Sequence, residues 1–199
     1  MHRAPPRRRP LLALALAATL SACQTLAPAP SESWPQRRAL LQALHQFEFR
    51  GQLAAATATD GYSATLTWQQ KDESTDAALR APLGLGAAHL FFDGALLRVA
   101  IGDAPAVEGE VARQAMVELL GFEPPLASLH YWVLGVPDPR FPGQETLSNT
   151  RRLARLVQAD WQIDYANYRW AGNGQLPGLI TLQREGLRLK VRVSKWQLP

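Results

Sequence analysis

The side chain best placed to do chemistry is a thiol. Cys23 is the single cysteine in a chain of 199 residues, so an internal disulfide, a CxxC redox pair and a cysteine-rich zinc cluster are all excluded. It follows Leu20-Ser21-Ala22, an aliphatic residue and two small ones that leave the backbone open to a protease. Its thiolate is a nucleophile. The other candidates for chemistry are weaker. His45, His89 and His130 stand in no HExxH or HxH pattern, so metal-ligand spacing is missing. There is no GxSxG serine turn. Gly84-Leu85-Gly86 lacks the third glycine and the following helix of a dinucleotide loop. The acids read as solvated faces. The expectation is a protein with no enzyme activity, no metal and no cofactor.

What precedes the cysteine fits export. Residues 2–10 are basic and residues 11–22 apolar. An apolar run of that length reaches about 18 Å as a helix, short of the roughly 30 Å hydrocarbon core, which favours a signal peptide over a membrane span. Leu20-Ser21-Ala22-Cys23 resembles the lipobox of bacterial lipoproteins. That resemblance implies cleavage after Ala22 and a diacylglycerol and an N-acyl chain on Cys23. It also implies the outer membrane, facing the periplasm, because Gln24 is not the aspartate that retains such proteins in the inner membrane. Residues 24–33 are rich in Pro, Ala and Ser and read as a tether. The expected organisation is a signal in 1–22, a lipidated N-terminus and tether in 23–33, and one domain in 34–199.

Charge narrows the partners. The formal net charge of +4 comes wholly from Arg3, Arg7, Arg8 and Arg9. Without residues 1–22, 17 basic side chains face 17 acidic ones. A neutral mature chain without long like-charge runs gives no footprint for nucleic acid.

The elements that would position a site follow from periodicity. Residues 34–46 predict a helix, with Ser33 as cap, Pro35 in its first turn, and Leu40, Leu41, Leu44 and Phe47 on one face. The period then becomes two. Tyr62, Ala64, Leu66 and Trp68 alternate with polar residues, and 49–59 is the expected hairpin partner, turning at Asp60-Gly61. Strands are predicted at 75–81, 87–92 and 96–101. Helices are predicted at 108–120, stopped by Gly121, and from Pro124-Pro125 to about Gly135. Residues 135–148 read as loop. Strands return at 151–159, 161–170, 179–184 and 187–196. Short turns between consecutive strands imply antiparallel pairing. The expected fold is mainly β with helices (α+β): a curved, barrel-like antiparallel sheet, with the helices inside it or across one mouth.

Two apolar features remain. Six tryptophans (Trp34, Trp68, Trp132, Trp161, Trp170 and Trp196) either pack an ordinary core or line a cavity inside the curved sheet. Periodicity leaves both open. The turn Ala81-Pro82-Leu83-Gly84-Leu85-Gly86 carries two leucines, either tucked into the core or exposed as an apolar tip.

Several segments, in order and spacing, resemble the LolB family of outer-membrane lipoprotein receptors. They are Phe49-Arg50-Gly51-Gln52, Thr67-Trp68-Gln69-Gln70, Ala81-Pro82-Leu83-Gly84, and Leu119-Leu120-Gly121 with Pro124. The run from Leu129 through His130-Tyr131-Trp132 to Pro137 and the run Leu187-Arg188-Leu189-Lys190-Val191 with Trp196 complete the set. The resemblance covers residues 34–198. It implies an unclosed antiparallel β-barrel around an apolar cavity, with helices closing one side. It also implies a monomer that takes lipoproteins from the periplasmic carrier LolA and places them in the outer membrane. In the family the leucine of the Pro-Leu-Gly turn serves insertion, which points to Leu83, with Leu85 as a second candidate. Candidate cavity residues are Leu66, Trp68, Trp132, Trp161, Ile163, Leu189 and Val191. The resemblance assigns no role to the Pro-rich segment 135–150. Two other readings stay open: a structural or envelope-assembly lipoprotein with a filled core, and a binding protein for phospholipid or glycolipid.

Overall fold

The computed structural model describes residues 1–2, 32–57, 61–84 and 86–199, and Cys23 and Leu85 lie outside these described residues. The chain divides into Met1–Ser31 and Glu32–Pro199, and the fold described here is that of the second unit.

Alternating burial builds the sheet. On β1 (Gln46–Ala56), Phe47, Phe49, Leu53 and Ala55 are buried, while Arg50, Gln52 and Ala54 face solvent. β2 (Gly61–Lys71) and β3 (Ser74–Arg80) continue the pattern, followed by β4 (Ala87–Phe92), β5 (Leu97–Ile101) and the short β6 (Val107–Glu108). After α2 (Gly109–Leu120) and α3 (Leu126–Val133) come β7 (Gly143–Leu147), β8 (Leu153–Gln158) and β9 (Trp161–Ala166). A small hairpin of β10 (Arg169–Ala171) and β11 (Gly174–Leu176) leads to β12 (Leu179–Arg184) and β13 (Leu187–Gln197). The first helix, α1, is Trp34–Gln42.

Among the described residues, eleven strands form one antiparallel sheet in the order β6-β5-β4-β3-β2-β1-β13-β12-β9-β8-β7. The edge strands β6 and β7 do not pair, so the sheet stays open. The chain passes from one edge to the other through α2 and α3, which therefore lie along the gap. Gly121 adopts φ 81° and donates its N–H to Val117 O at 2.8 Å, ending α2 as its position predicts. At the sheet's centre the β1–β13 register shifts between Arg50 and Gly51. A Cβ on Gly51 would collide with the Arg192 carbonyl, so only glycine fits this bulge.

Several expected elements differ. α1 ends at Gln42, and Phe47 belongs to β1, so the helix face is shorter than predicted. Leu40 is 66% exposed, whereas Arg37 on the same helix is buried and donates to Gln175 O. The strand expected over 161–170 breaks after Ala166, where Asn167 turns with φ 54°, and Trp170 rides out on the β10–β11 hairpin at 73% exposure. β1 ends at Ala56, and residues 58–60, where the strand was expected to end and turn at Asp60, lie outside the described residues.

The Pro-rich segment hides more structure than its composition shows. β7 lies inside it, invisible to periodicity because no residue of Gly143–Leu147 is buried. Upstream, Val136 and Asp138 are fully buried. Gln158 of β8 clamps this segment. Its Oε1 accepts from Trp132 Nε1 at 2.7 Å and from the Asp138 N–H at 2.9 Å. Its Nε2 donates to Asp138 O at 3.0 Å and Phe141 O at 2.7 Å. Asp138 also accepts from Ser128 Oγ at 2.8 Å and pairs with Arg140 at 2.6 Å. Burial pushes the Asp138 carboxyl up, but the Arg140 and Ser128 hydrogen bonds outweigh it and hold the carboxyl below its usual range. α3 is thus fastened to the far side of the sheet.

Candidate functional site

The inward faces of β1 to β4, β12 and β13 meet α2 and α3 around a cavity of about 90 Å³. Its walls are apolar. Leu53, Leu66, Leu189 and Val191 come from the central strands, Met116 and Leu120 from α2, and Leu129 and Val133 from α3. No charged side chain lines it. Polar atoms enter through three aromatic residues. Trp132 Nε1 is satisfied by Gln158. Tyr62 Oη and Trp68 Nε1 are buried and have no hydrogen-bond partner among the described residues. Burial pushes the Tyr62 hydroxyl up to about 12.

Of the residues expected at the lining, Leu66, Trp68, Trp132, Leu189 and Val191 reach it. Trp161 and Ile163 do not. They are buried on β9, beyond β12 towards the β7 edge, where Ile163 pairs with Leu156 and Leu182. Trp161 packs behind the cavity wall, 6.2 Å from the Trp132 ring and 6.1 Å from the Phe122 ring, with Arg184 over its face at 4.9 Å. Alternation gave their inward direction correctly but could not say which inward residues border the empty space. The helix contribution from Met116 and Leu120 was missed for the same reason, although their spacing of four marks one face.

The β3–β4 connection carries the second feature. A 3-10 turn, Pro82–Gly84, holds Leu83 at φ 57° and 97% exposure. The Ala81 N–H donates to Gly86 O at 2.9 Å and closes the loop beneath it. A leucine in the left-handed region is strained by about 1–2 kcal/mol. This one is held there while its side chain touches only solvent, so the tucked-in alternative fails. Leu85 and Cys23, the residue expected to carry lipid, lie outside the described residues.

The family model described as "Outer membrane lipoprotein LolB" matches residues 45–196, from the start of the sheet to its last strand. The chain belongs to the LolB family. An outer-membrane lipoprotein LolB of Nitrosococcus oceani is 35% identical over 173 residues, covering 85% of each chain. One of Cellvibrio japonicus is 32% identical over 197 residues, covering 94% of this chain and 96% of that one. Solved structures agree on the architecture while sharing little sequence. A LolA superfamily protein of Nitrosomonas europaea superposes with a TM-score of 0.53 at 8% identity, covering 84% of this chain and 94% of that one. A DUF1329 family protein of Desulfovibrio piger gives 0.57 at 7%, covering 83% and 90%. The open antiparallel sheet with helices along its gap is therefore a fold this LolB family member shares with a wider group.

Proposed function

We infer that the chain is a receptor anchored to the outer membrane, facing the periplasm, that accepts acylated lipoproteins from the carrier LolA and inserts them into that membrane. Membership of the LolB family supports the location and the role. The observation that carries the mechanism is an apolar interior bordered by strands whose Leu83 end presents a free leucine to solvent. Residues 1–22 direct export, Cys23 carries the diacylglycerol and N-acyl chains, and 23–33 tether a monomeric domain. Cargo moves without covalent chemistry and without a metal.

The energetics explain why a shielded interior is needed. Each methylene taken out of water contributes about 0.8 kcal/mol, so one long acyl chain left in water costs roughly 10 kcal/mol. The interior must open to receive it. A cavity of about 90 Å³ is smaller than the ~150 Å³ that accommodates benzene. α3 is pinned by Gln158, Asp138 and a contact between His130 Nε2 and Leu44 O at 3.2 Å. α2 packs against β5 and β6 at the sheet's edge. Leu83 then enters the bilayer surface and helps the chains leave.

The test is Leu83→Glu in a reconstituted handover from carrier–lipoprotein complex to the receptor in liposomes. Acceptance from the carrier is expected to persist while insertion slows at least tenfold. Insertion at an unchanged rate overturns the role given to Leu83. Absence of any handover by the unmutated protein overturns the receptor reading.

A further inference from the structure

Buried donors without partners are rare in folded proteins, and each needs a reason. Among the described residues the atoms in this position are Tyr62 Oη, Trp68 Nε1, Arg152 Nε and Tyr165 Oη. Arg152 and Tyr165 do not border the cavity. Tyr62 and Trp68 do, both from the inward face of β2, in surroundings otherwise made of hydrocarbon. A lone donor in such a place is open to an acceptor that a ligand brings.

The two donors stand at opposite ends. Six residues of strand separate them, about 20 Å. Trp68 pairs across the sheet with Phe49 and Ala77, and its ring stacks on Phe49 at 5.9 Å. Tyr62 pairs with Ala55, one step before the β1–β2 connection. The β2–β3 ladder ends at Thr65 and Arg80, immediately before the Leu83 turn, and Tyr62 lies three residues further in that direction. Tyr62 therefore occupies the end of the sheet that carries Leu83, and Trp68 the far end. One acyl chain spans half of a roughly 30 Å hydrocarbon core, about 15 Å, which fits between them.

We propose that the Tyr62 hydroxyl donates a hydrogen bond to an ester carbonyl of the cargo's diacylglyceryl group, holding the glycerol at the Leu83 end while the tails run towards Trp68. This rests on the acyl-binding reading above and adds to it a site for the ester function. A phenol raised towards 12 by burial stays protonated at neutral pH, so it can donate but does not ionise. The apolar walls recognise chain length without chemistry. The single hydroxyl makes the site sensitive to the carbonyl.

The experiment compares two lipopeptides with the same peptide and chains, one a glycerol diester and the other its dialkyl ether. Each displaces a fluorescent fatty probe from the full chain carrying Cys23→Ala to block its own acylation. With Tyr62 present, the diester is expected to bind about tenfold tighter, the equivalent of ~1.4 kcal/mol. Tyr62→Phe should bring the diester down to the ether's affinity. Trp68→Phe should keep the preference. Equal binding of the two lipids with Tyr62 present, or a preference surviving in Tyr62→Phe, overturns the site while leaving acyl binding intact. If neither probe nor lipopeptide binds, the acyl-binding reading falls and takes this site with it.

Discussion

Replacing Gln158 with methionine keeps the volume and removes the hydrogen bonds of the clamp. Gln158 is 2% exposed and makes four hydrogen bonds, to Trp132 Nε1, the Asp138 N–H, Asp138 O and Phe141 O, between 2.7 and 3.0 Å. Methionine can replace none of them. At about 1 kcal/mol each, with further loss wherever a partner stays buried and unpaired, Gln158→Met should destabilise the fold by roughly 3–5 kcal/mol. That is a large share of a typical 5–15 kcal/mol and corresponds to a fall in Tm of about 10 °C. Urea unfolding followed by tryptophan fluorescence measures it, with an unchanged slope showing that the two end states are the same. Since Trp132 borders the cavity, bound apolar probe should also dissociate faster. A loss under about 1 kcal/mol would refute the reasoning, because it would mean that water satisfies all four groups and that the 135–142 segment is not held by this residue.

Leu83→Gly relieves the strain at φ 57° but raises the entropy of the unfolded chain, for a net gain of up to about 1 kcal/mol. Thermal melting checks this, and a drop in Tm would show that the turn is held by the leucine side chain. Gly51→Ala drives a Cβ into the Arg192 carbonyl at the β1–β13 bulge, and a destabilisation of about 1–3 kcal/mol is expected in denaturant melts. His130 is buried, and burial holds its imidazole below the usual pKa of about 6.5, with Leu44 O opposing and His45 reinforcing the shift. The unfolded chain therefore takes up a proton first as pH falls, so stability is complete above about 6.5 and declines below it. Urea midpoints at pH 7.5 and 5.5 should show that decline, and His130→Gln should flatten it. An equal slope in the variant removes His130 as the cause.

Much of the architecture was legible before any coordinates. Leu187 to Val193 alternate so cleanly that β13 falls where the period puts it, and Gly121 stops α2 as its left-handed conformation requires. The leucine turn was visible from Pro82 and its neighbouring glycines, because those residues punctuate strands locally. β7 and the β10–β11 hairpin were not legible. β7 is held by backbone pairing with β8 and buries no side chain, so it leaves no trace in hydropathy. The acids read as solvated included Asp138, whose burial, like that of its partner Gln158, depends on a loop folding back over β8.

The sequence alone determined which residues alternate, where α2 stops, and that the β3–β4 turn would carry leucine, because each depends on neighbours within a few positions, whereas the exposure of that leucine and the early end of α1 were left to the fold. Tertiary structure decided how wide the interior is and which inward residues border it. Trp161 and Ile163 point inward on β9 as surely as Leu66 and Trp68 do on β2. Only the strand order, with β9 displaced beyond β12, places the first pair behind Trp132 and the second against empty space. A void belongs to several strands and two helices at once, and no local pattern encodes it.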